Sequence, residues 1–127
     1  MNEARRVFYD GVAYADKHFG EKGRVSAPGW RTDRGRIYVK YGDPEEELDR
    51  VQAGRAVPYQ VWRYRQGRDR YYVFADRSNG IGIYQLVHSN DVKEIGVPDW
   101  RQIVTQEGVA DIGRFLGIDF FDGSTGR

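Results

Sequence analysis

Cysteine is absent from the 127 residues, and methionine, histidine and proline number only one, two and four. Without cysteine there are no disulfides, no thiolate metal sites and no cysteine nucleophile, and the redox compartment stays open. The two histidines, His18 and His88, lie too far apart in the chain to form a metal-ligand spacing. Charge of one sign is not in excess either. Twenty basic residues face 19 acidic ones, so no global field draws the chain toward nucleic acid or a membrane. No apolar run approaches the ~20 residues that cross a bilayer. Residues 1–19 are charged and amphipathic where a signal peptide would be apolar, although a chain already stripped of such a signal reads the same way.

What the chain does have is aromatic: nine Tyr, six Phe and three Trp. At this length one domain is the expectation, burying roughly two-thirds of its unfolded surface without covalent staples. Asn2 can cap a helix over Glu3–Phe19, in which Ala4, Val7, Phe8, Gly11, Val12, Ala15 and Phe19 fall at 3- and 4-residue spacings. Residues 20–31 read as a linker. From Arg36 the period changes to two: Ile37, Val39 and Tyr41 alternate with Arg36, Tyr38 and Lys40, which predicts a strand, and Gly42-Asp43-Pro44 turns the chain. Residues 45–56 are charged and read as an exposed excursion, with helix and strand undecided over 45–50. Residues 59–65, 70–75 and 82–88 predict three strands of an antiparallel meander, joined at Gln66-Gly67-Arg68-Asp69 and at 76–80. Beyond Pro98 and Asp99, the residues Trp100, Ile103, Val104, Ile112, Phe115 and Leu116 predict one or two short helices, broken or strained at Gly108. The expected fold is therefore α+β: an N-terminal helix over 1–19, a turn motif and sheet of about four antiparallel strands over 29–89, and a helical tail over 98–121. All of this forms one domain over 1–127, with the helices on one face of the sheet.

The densest constellation is Gly29-Trp30-Arg31-Thr32-Asp33-Arg34-Gly35-Arg36. Thr32 or Asp33 can hydrogen-bond backbone amides of a tight turn, and Gly35 can supply a positive φ ahead of the strand. Trp30 is an apolar plug whose N–H needs a partner. Asp33, flanked by Arg31, Arg34 and Arg36, can form a bidentate pair with a guanidinium. The residues read first as a rigid turn packed on the sheet, and second as a ligand or partner site.

This stretch, continued through Ile37-Tyr38 and Tyr41-Gly42-Asp43-Pro44, resembles the signature of the GWxTD domain. The resemblance carries on through Pro58-Tyr59-Gln60-Val61-Trp62-Arg63-Tyr64, Val73-Phe74-Ala75-Asp76-Arg77, Tyr84-Gln85-Leu86-Val87-His88-Ser89 and Pro98-Asp99-Trp100. It implies a bacterial protein, periplasmic or envelope-associated, of a family without an established catalytic activity; a cytoplasmic location stays open. The order of the Thr32 turn, the Gly42-Asp43-Pro44 turn and the Trp62-Arg63-Tyr64 strand is also similar to small lipoproteins of the outer-membrane barrel-assembly machinery, which are scaffolds. The alternation at Ile37 argues for a strand where those proteins have a helix, which limits that likeness to one of role.

Catalytic residues do not announce themselves. The acidic candidates are Asp33, Asp43, Glu45, Glu46, Glu47 and Asp76, and no serine sits in a nucleophile elbow. His88 and Ser89 are strand neighbours pointing to opposite faces, so His88 reads as a sheet-face histidine with a hydrogen-bond partner. The pattern asks for no cofactor and no metal. A small-ligand or hydrolytic site would need Asp33 and Asp76 brought together. A single-stranded nucleic-acid platform could be built from Trp62-Arg63-Tyr64-Arg65 and Arg68-x-Arg70-Tyr71-Tyr72, but only if those aromatics face solvent. The reading preferred here is a non-catalytic scaffold or accessory protein-interaction subunit. The open face of the sheet would meet its partner, with Arg63, Arg65, Tyr72, Phe120 and Phe121 as contacts.

Overall fold

A computed structural model describes residues 3–20, 29–51, 57–78 and 81–121. It contains helix α1 (Glu3–Phe19), a 3-10 turn (Gly29–Arg31), helix α2 (Asp33–Tyr41), strands β1 (Glu46–Arg50), β2 (Tyr59–Tyr64), β3 (Arg70–Asp76) and β4 (Tyr84–Ser89), and helix α3 (Trp100–Leu116). The four strands form an antiparallel meander in the order β1-β2-β3-β4. The α+β class, the leading helix, the three-strand meander and the helical tail all agree with the expectation.

The segment around Ile37 does not. It is helical, because Thr32 caps it: the Thr32 Oγ1 accepts the Gly35 N–H at 3.0 Å, and Asp33 places a negative charge in the first turn. Gly42, at φ 77°, then ends the helix by donating its N–H to the Tyr38 carbonyl. Caps at both ends outweigh the strand preference of Ile37, Tyr38 and Val39, and Ile37 and Tyr41 meet the core at helical i, i+4 spacing. Gly35 is accordingly an interior helix residue and not a positive-φ hinge. The fourth strand comes from the charged excursion instead. Glu46 to Arg50 pair with Arg63 to Tyr59 as a short, charged edge strand, a composition that discourages pairing with other chains. Residues 52–56 of that excursion lie outside the described residues.

Both faces of the sheet are covered, not one. Alternation along β2 and β3 sends Tyr59, Val61, Tyr71 and Val73 toward α3, where they pack with Trp100, Val104, Val109, Ile112 and Leu116. It sends Trp62, Tyr64, Tyr72 and Phe74 the other way, onto Ala15 and Phe19 of α1 and Ile37 of α2. The domain is thus three layers deep, with two separate cores, largely aliphatic on the α3 side and largely aromatic on the other. α3 is interrupted at Thr105 (φ 69°, ψ 167°), three residues before the expected break. A β-branched residue there costs about 1–3 kcal/mol. Its Oγ1 recovers part of that by accepting the Gly108 N–H at 3.4 Å. Gly108 matters for space: a Cβ there would sit 3.1 Å from Val104 Cβ and 3.4 Å from the Tyr59 ring.

Candidate functional site

The constellation singled out by sequence lies at the corner where α1, α2 and β4 meet. Gly29 passes so close to α1 that a Cβ would lie 1.6 Å from the Ala15 carbonyl oxygen. Gly35 sits as close to Gly29, a Cβ there falling 1.6 Å from the Gly29 oxygen. These two residues are glycines because three backbone segments are stacked without room for a methyl group. Thr32 ties the stack together, donating its hydroxyl to the Gly29 carbonyl at 2.6 Å while capping α2. Trp30 stands in the 3-10 turn; its side chain is outside the described residues.

Asp33 reaches from α2 to the sheet edge. Its Oδ2 accepts the Leu86 N–H of β4 at 2.7 Å, and its Oδ1 accepts Arg36 Nη1 at 2.9 Å. The bidentate pair expected from sequence is therefore replaced by one bond to an arginine and one to an edge-strand amide. Arg36 continues to Glu94 at 2.5 Å, and Lys40 approaches the same carboxylate at 3.6 Å. Burial alone would lower the Arg36 pKa, but the bonds to Glu94 and Asp33 outweigh it and raise it. The Arg34 guanidinium lies over the rings of Tyr84, at 4.3 Å, and Phe19, at 5.1 Å. Every signature side chain described here has structural partners.

Asp76 is elsewhere and differently employed. Buried to 1% exposure, it accepts the Ser78 hydroxyl, the Ser78 N–H at 2.9 Å and the Gly82 N–H at 2.9 Å, and so shapes the β3–β4 turn. Burial pushes its pKa up, yet these bonds win and hold it below the ordinary carboxylate value. Asp33 borders an open cleft of about 510 Å³ with Arg36, Lys40, Gln85 and Glu94, and Asp76 is not part of that lining. The structure does not gather the two carboxylates into one site. Among the described residues, no three acidic or histidine side chains group as metal ligands would.

His88 matches its reading. Its Nε2 shares a 2.8 Å hydrogen bond with the Tyr71 hydroxyl, and its ring stacks on Trp100 with centroids 4.3 Å apart. Burial and the nearby Arg101 push its pKa down to about 4. His18 is exposed and stacks on Tyr14 at 4.0 Å.

Of the five expected contact residues, three are structural. Tyr72 is fully enclosed in the aromatic core, its hydroxyl donated to Asp91 at 2.8 Å. Phe120, 4% exposed, packs edge-on against Trp100. Arg63 points at α3, donating to the Leu116 carbonyl at 3.0 Å and to both oxygens of Asp69. Only Arg65, paired with Glu46, and Phe121 stand at the surface. The aromatic platform fails for the same reason: Trp62, Tyr64 and Tyr72 are buried under α1 and α2.

Sequence reasoning missed Asp91 and Glu94. Phe8 lies in the apolar stripe expected for α1, and in the folded chain it is 52% exposed. Asp91 carried a weak local signal, an acidic residue two before an amide it caps, at Lys93. Glu94 had none, because its partners Arg36 and Lys40 are distant in sequence.

The family model of the GWxTD domain matches residues 2–106. No curated protein and no solved structure matches the chain. The matched region ends inside α3, so Val109, Ile112, Leu116 and Phe120, which complete the aliphatic core, come from beyond it.

Proposed function

The chain belongs to the GWxTD domain family, and from that premise we propose that it is a non-catalytic scaffold or accessory protein-interaction subunit of a larger bacterial assembly in the cell envelope. The observation that carries this reading is the apolar stripe of α1. At Ala15 and Phe19 the stripe is buried against α2 and the sheet, whereas at Phe8, two turns earlier, the same stripe is 52% exposed, with Tyr9 beside it at 53%. A helix that carries its apolar face past the edge of its own domain offers that face to another protein. Beside it lies a groove of about 480 Å³ between α1 and α2, lined by Gly11, Tyr14, Tyr38, Val39 and Tyr41. Tyrosine-rich, half-exposed surfaces of this kind supply large contact area at low entropic cost. The signature residues support the non-catalytic side of the reading, since their hydrogen bonds are spent on joining α1, α2 and β4. Among the described residues no helix is long and apolar enough to cross a membrane.

The test is affinity purification of the tagged chain from its own cells, alongside a Phe8→Asp variant. The reading expects a stoichiometric protein retained in high salt by the wild type and lost by the variant, whose thermal melting stays within about 0.5 kcal/mol of wild type. A lone monomer from both chains overturns it. Co-purifying nucleic acid released by salt would restore the nucleic-acid alternative.

A further inference from the structure

The β4–α3 connection is pinned at its start, middle and end, yet it holds two aliphatic side chains in water. At its start, Asp91 accepts the Tyr72 hydroxyl at 2.8 Å and the Lys93 N–H at 3.0 Å, and its own N–H is held by the Ser89 hydroxyl at 3.0 Å. In the middle, the Glu94 N–H closes a turn onto the Asp91 carbonyl at 3.0 Å, and the Glu94 side chain, 6% exposed, is clamped by Arg36 and Lys40. At its end, Gly96 lies against β4, where a Cβ would come within 2.8 Å of the Val87 oxygen, and Val97 donates to that oxygen at 2.8 Å. This backbone cannot fold its apolar side chains inward. Val92 is left 91% exposed and Ile95 90%, the most exposed of the large hydrophobic residues described.

Charge around the tip is sorted by depth. The carboxylates of Asp91, Asp33 and Glu94 face inward to hydrogen-bond partners. Lys93 is exposed, and the Lys40 and Arg36 side chains are 47% and 39% accessible against 30% for Asp33 and 6% for Glu94, the carboxylates they pair with. We propose that this loop is a bilayer-docking tip, Val92 and Ile95 entering the acyl boundary while Lys93 between them meets the phosphates of the headgroups, with the ion-paired Lys40 and Arg36 behind it. Two convex aliphatic side chains cover only a fraction of the roughly 800 Å² per partner that a stable protein contact buries. A bilayer requires no complementary pocket, and it accepts an apolar tip that carries a lysine between its two aliphatic side chains. The inference stands apart from the α1 reading, since it uses different residues and a different partner.

The lack of cysteine makes the test direct. Ile95→Cys labelled with an environment-sensitive fluorophore is mixed with vesicles of equal parts phosphatidylethanolamine and phosphatidylglycerol, with Ile81→Cys, in the β3–β4 turn, as the control. A blue shift at position 95 and none at 81 is expected. In co-sedimentation the unlabelled wild type binds these vesicles, and Val92→Ser with Ile95→Ser weakens binding about tenfold while melting as wild type does, because both positions are exposed. Phe8→Ser leaves binding unchanged. A chain that stays in the supernatant, a label at 95 that does not shift, or binding lost with Phe8→Ser and kept in the double serine variant overturns the proposal. A shift seen only with a co-purified protein also overturns it, and makes the loop a protein contact.

Discussion

The two faces of the sheet are closed by different physics. On the α3 side the contacts are largely aliphatic, from Val61, Val73 and Val87 to Val104, Val109, Ile112 and Leu116. Polar clamps hold that helix down: Arg50 and Tyr59 on Asp111, and Arg63 on the Leu116 carbonyl. On the α1–α2 side the contacts are aromatic, from Trp62, Tyr64, Tyr72, Phe74 and Tyr84 to Phe19 and Tyr41. There the helices are positioned by backbone contact through Gly29 and Gly35. An aliphatic face tolerates loss of a side chain by partial collapse, whereas a face set by backbone-to-backbone contact has no side chain to yield.

That difference ranks the substitutions. Gly29→Ala should be the most damaging, by about 4 kcal/mol or more, since the new methyl group collides with the α1 backbone and neither segment can step aside. Chemical denaturation would show it, and a variant melting within 1 °C of wild type would break the distinction between the faces. Ile112→Ala, in the centre of the other core, should cost about 3 kcal/mol through the cavity it leaves, with the α1–α2 corner intact by near-ultraviolet circular dichroism. Asp33→Ala should cost about 2 kcal/mol, because it strands the Leu86 amide and one bond of Arg36. Asp33→Asn should recover part of the loss, as its amide oxygen can still accept from Leu86; equal losses in the two variants would show that the carboxylate charge matters and the edge-strand bond does not.

The smallest effect is specific to the α3 face and appears only in acid. His88 has a folded pKa of about 4, below the ordinary 6.5. Between those values the unfolded chain binds the proton and the folded chain does not. Stability from this residue is therefore complete above pH 6.5, falls as the pH drops, and is gone below 4. The loss by pH 5 should be about 1–2 kcal/mol. His88→Gln should flatten this part of the pH–stability curve while leaving the aromatic face untouched. A His88 resonance titrating near 6.5 in the folded protein would contradict the burial argument.

How much of this was legible depended on where each residue's partners lie. α1 and the β2–β3–β4 meander were readable because period, turn residues and burial agree over short spans: Tyr59 to Tyr64 alternate, and Gly67 takes the positive φ its hairpin needs. The segment Ile37 to Tyr41 was not, since Ile37 and Tyr41, four residues apart, share one side of a helix as well as one face of a strand, and the cap from Thr32 decides between them. Arg63 was read as a surface contact because nothing nearby in sequence reveals the C-terminus of α3 above it. The exposed loop tip carries no local signal, because the exposure of Val92 and Ile95 depends on how the β4–α3 connection is held against β4 and α2.

From the sequence by itself came the family, the α+β class and the local elements whose signals are short-range. Tertiary structure alone decided that α2 packs through two glycines, that both faces of the sheet are covered, and that Asp33 serves an edge strand. Those outcomes turn on contacts between residues far apart in the chain, such as Asp33 with Leu86 and Arg63 with Leu116. Hydrogen bonding and close packing select among folds that local periodicity leaves equal.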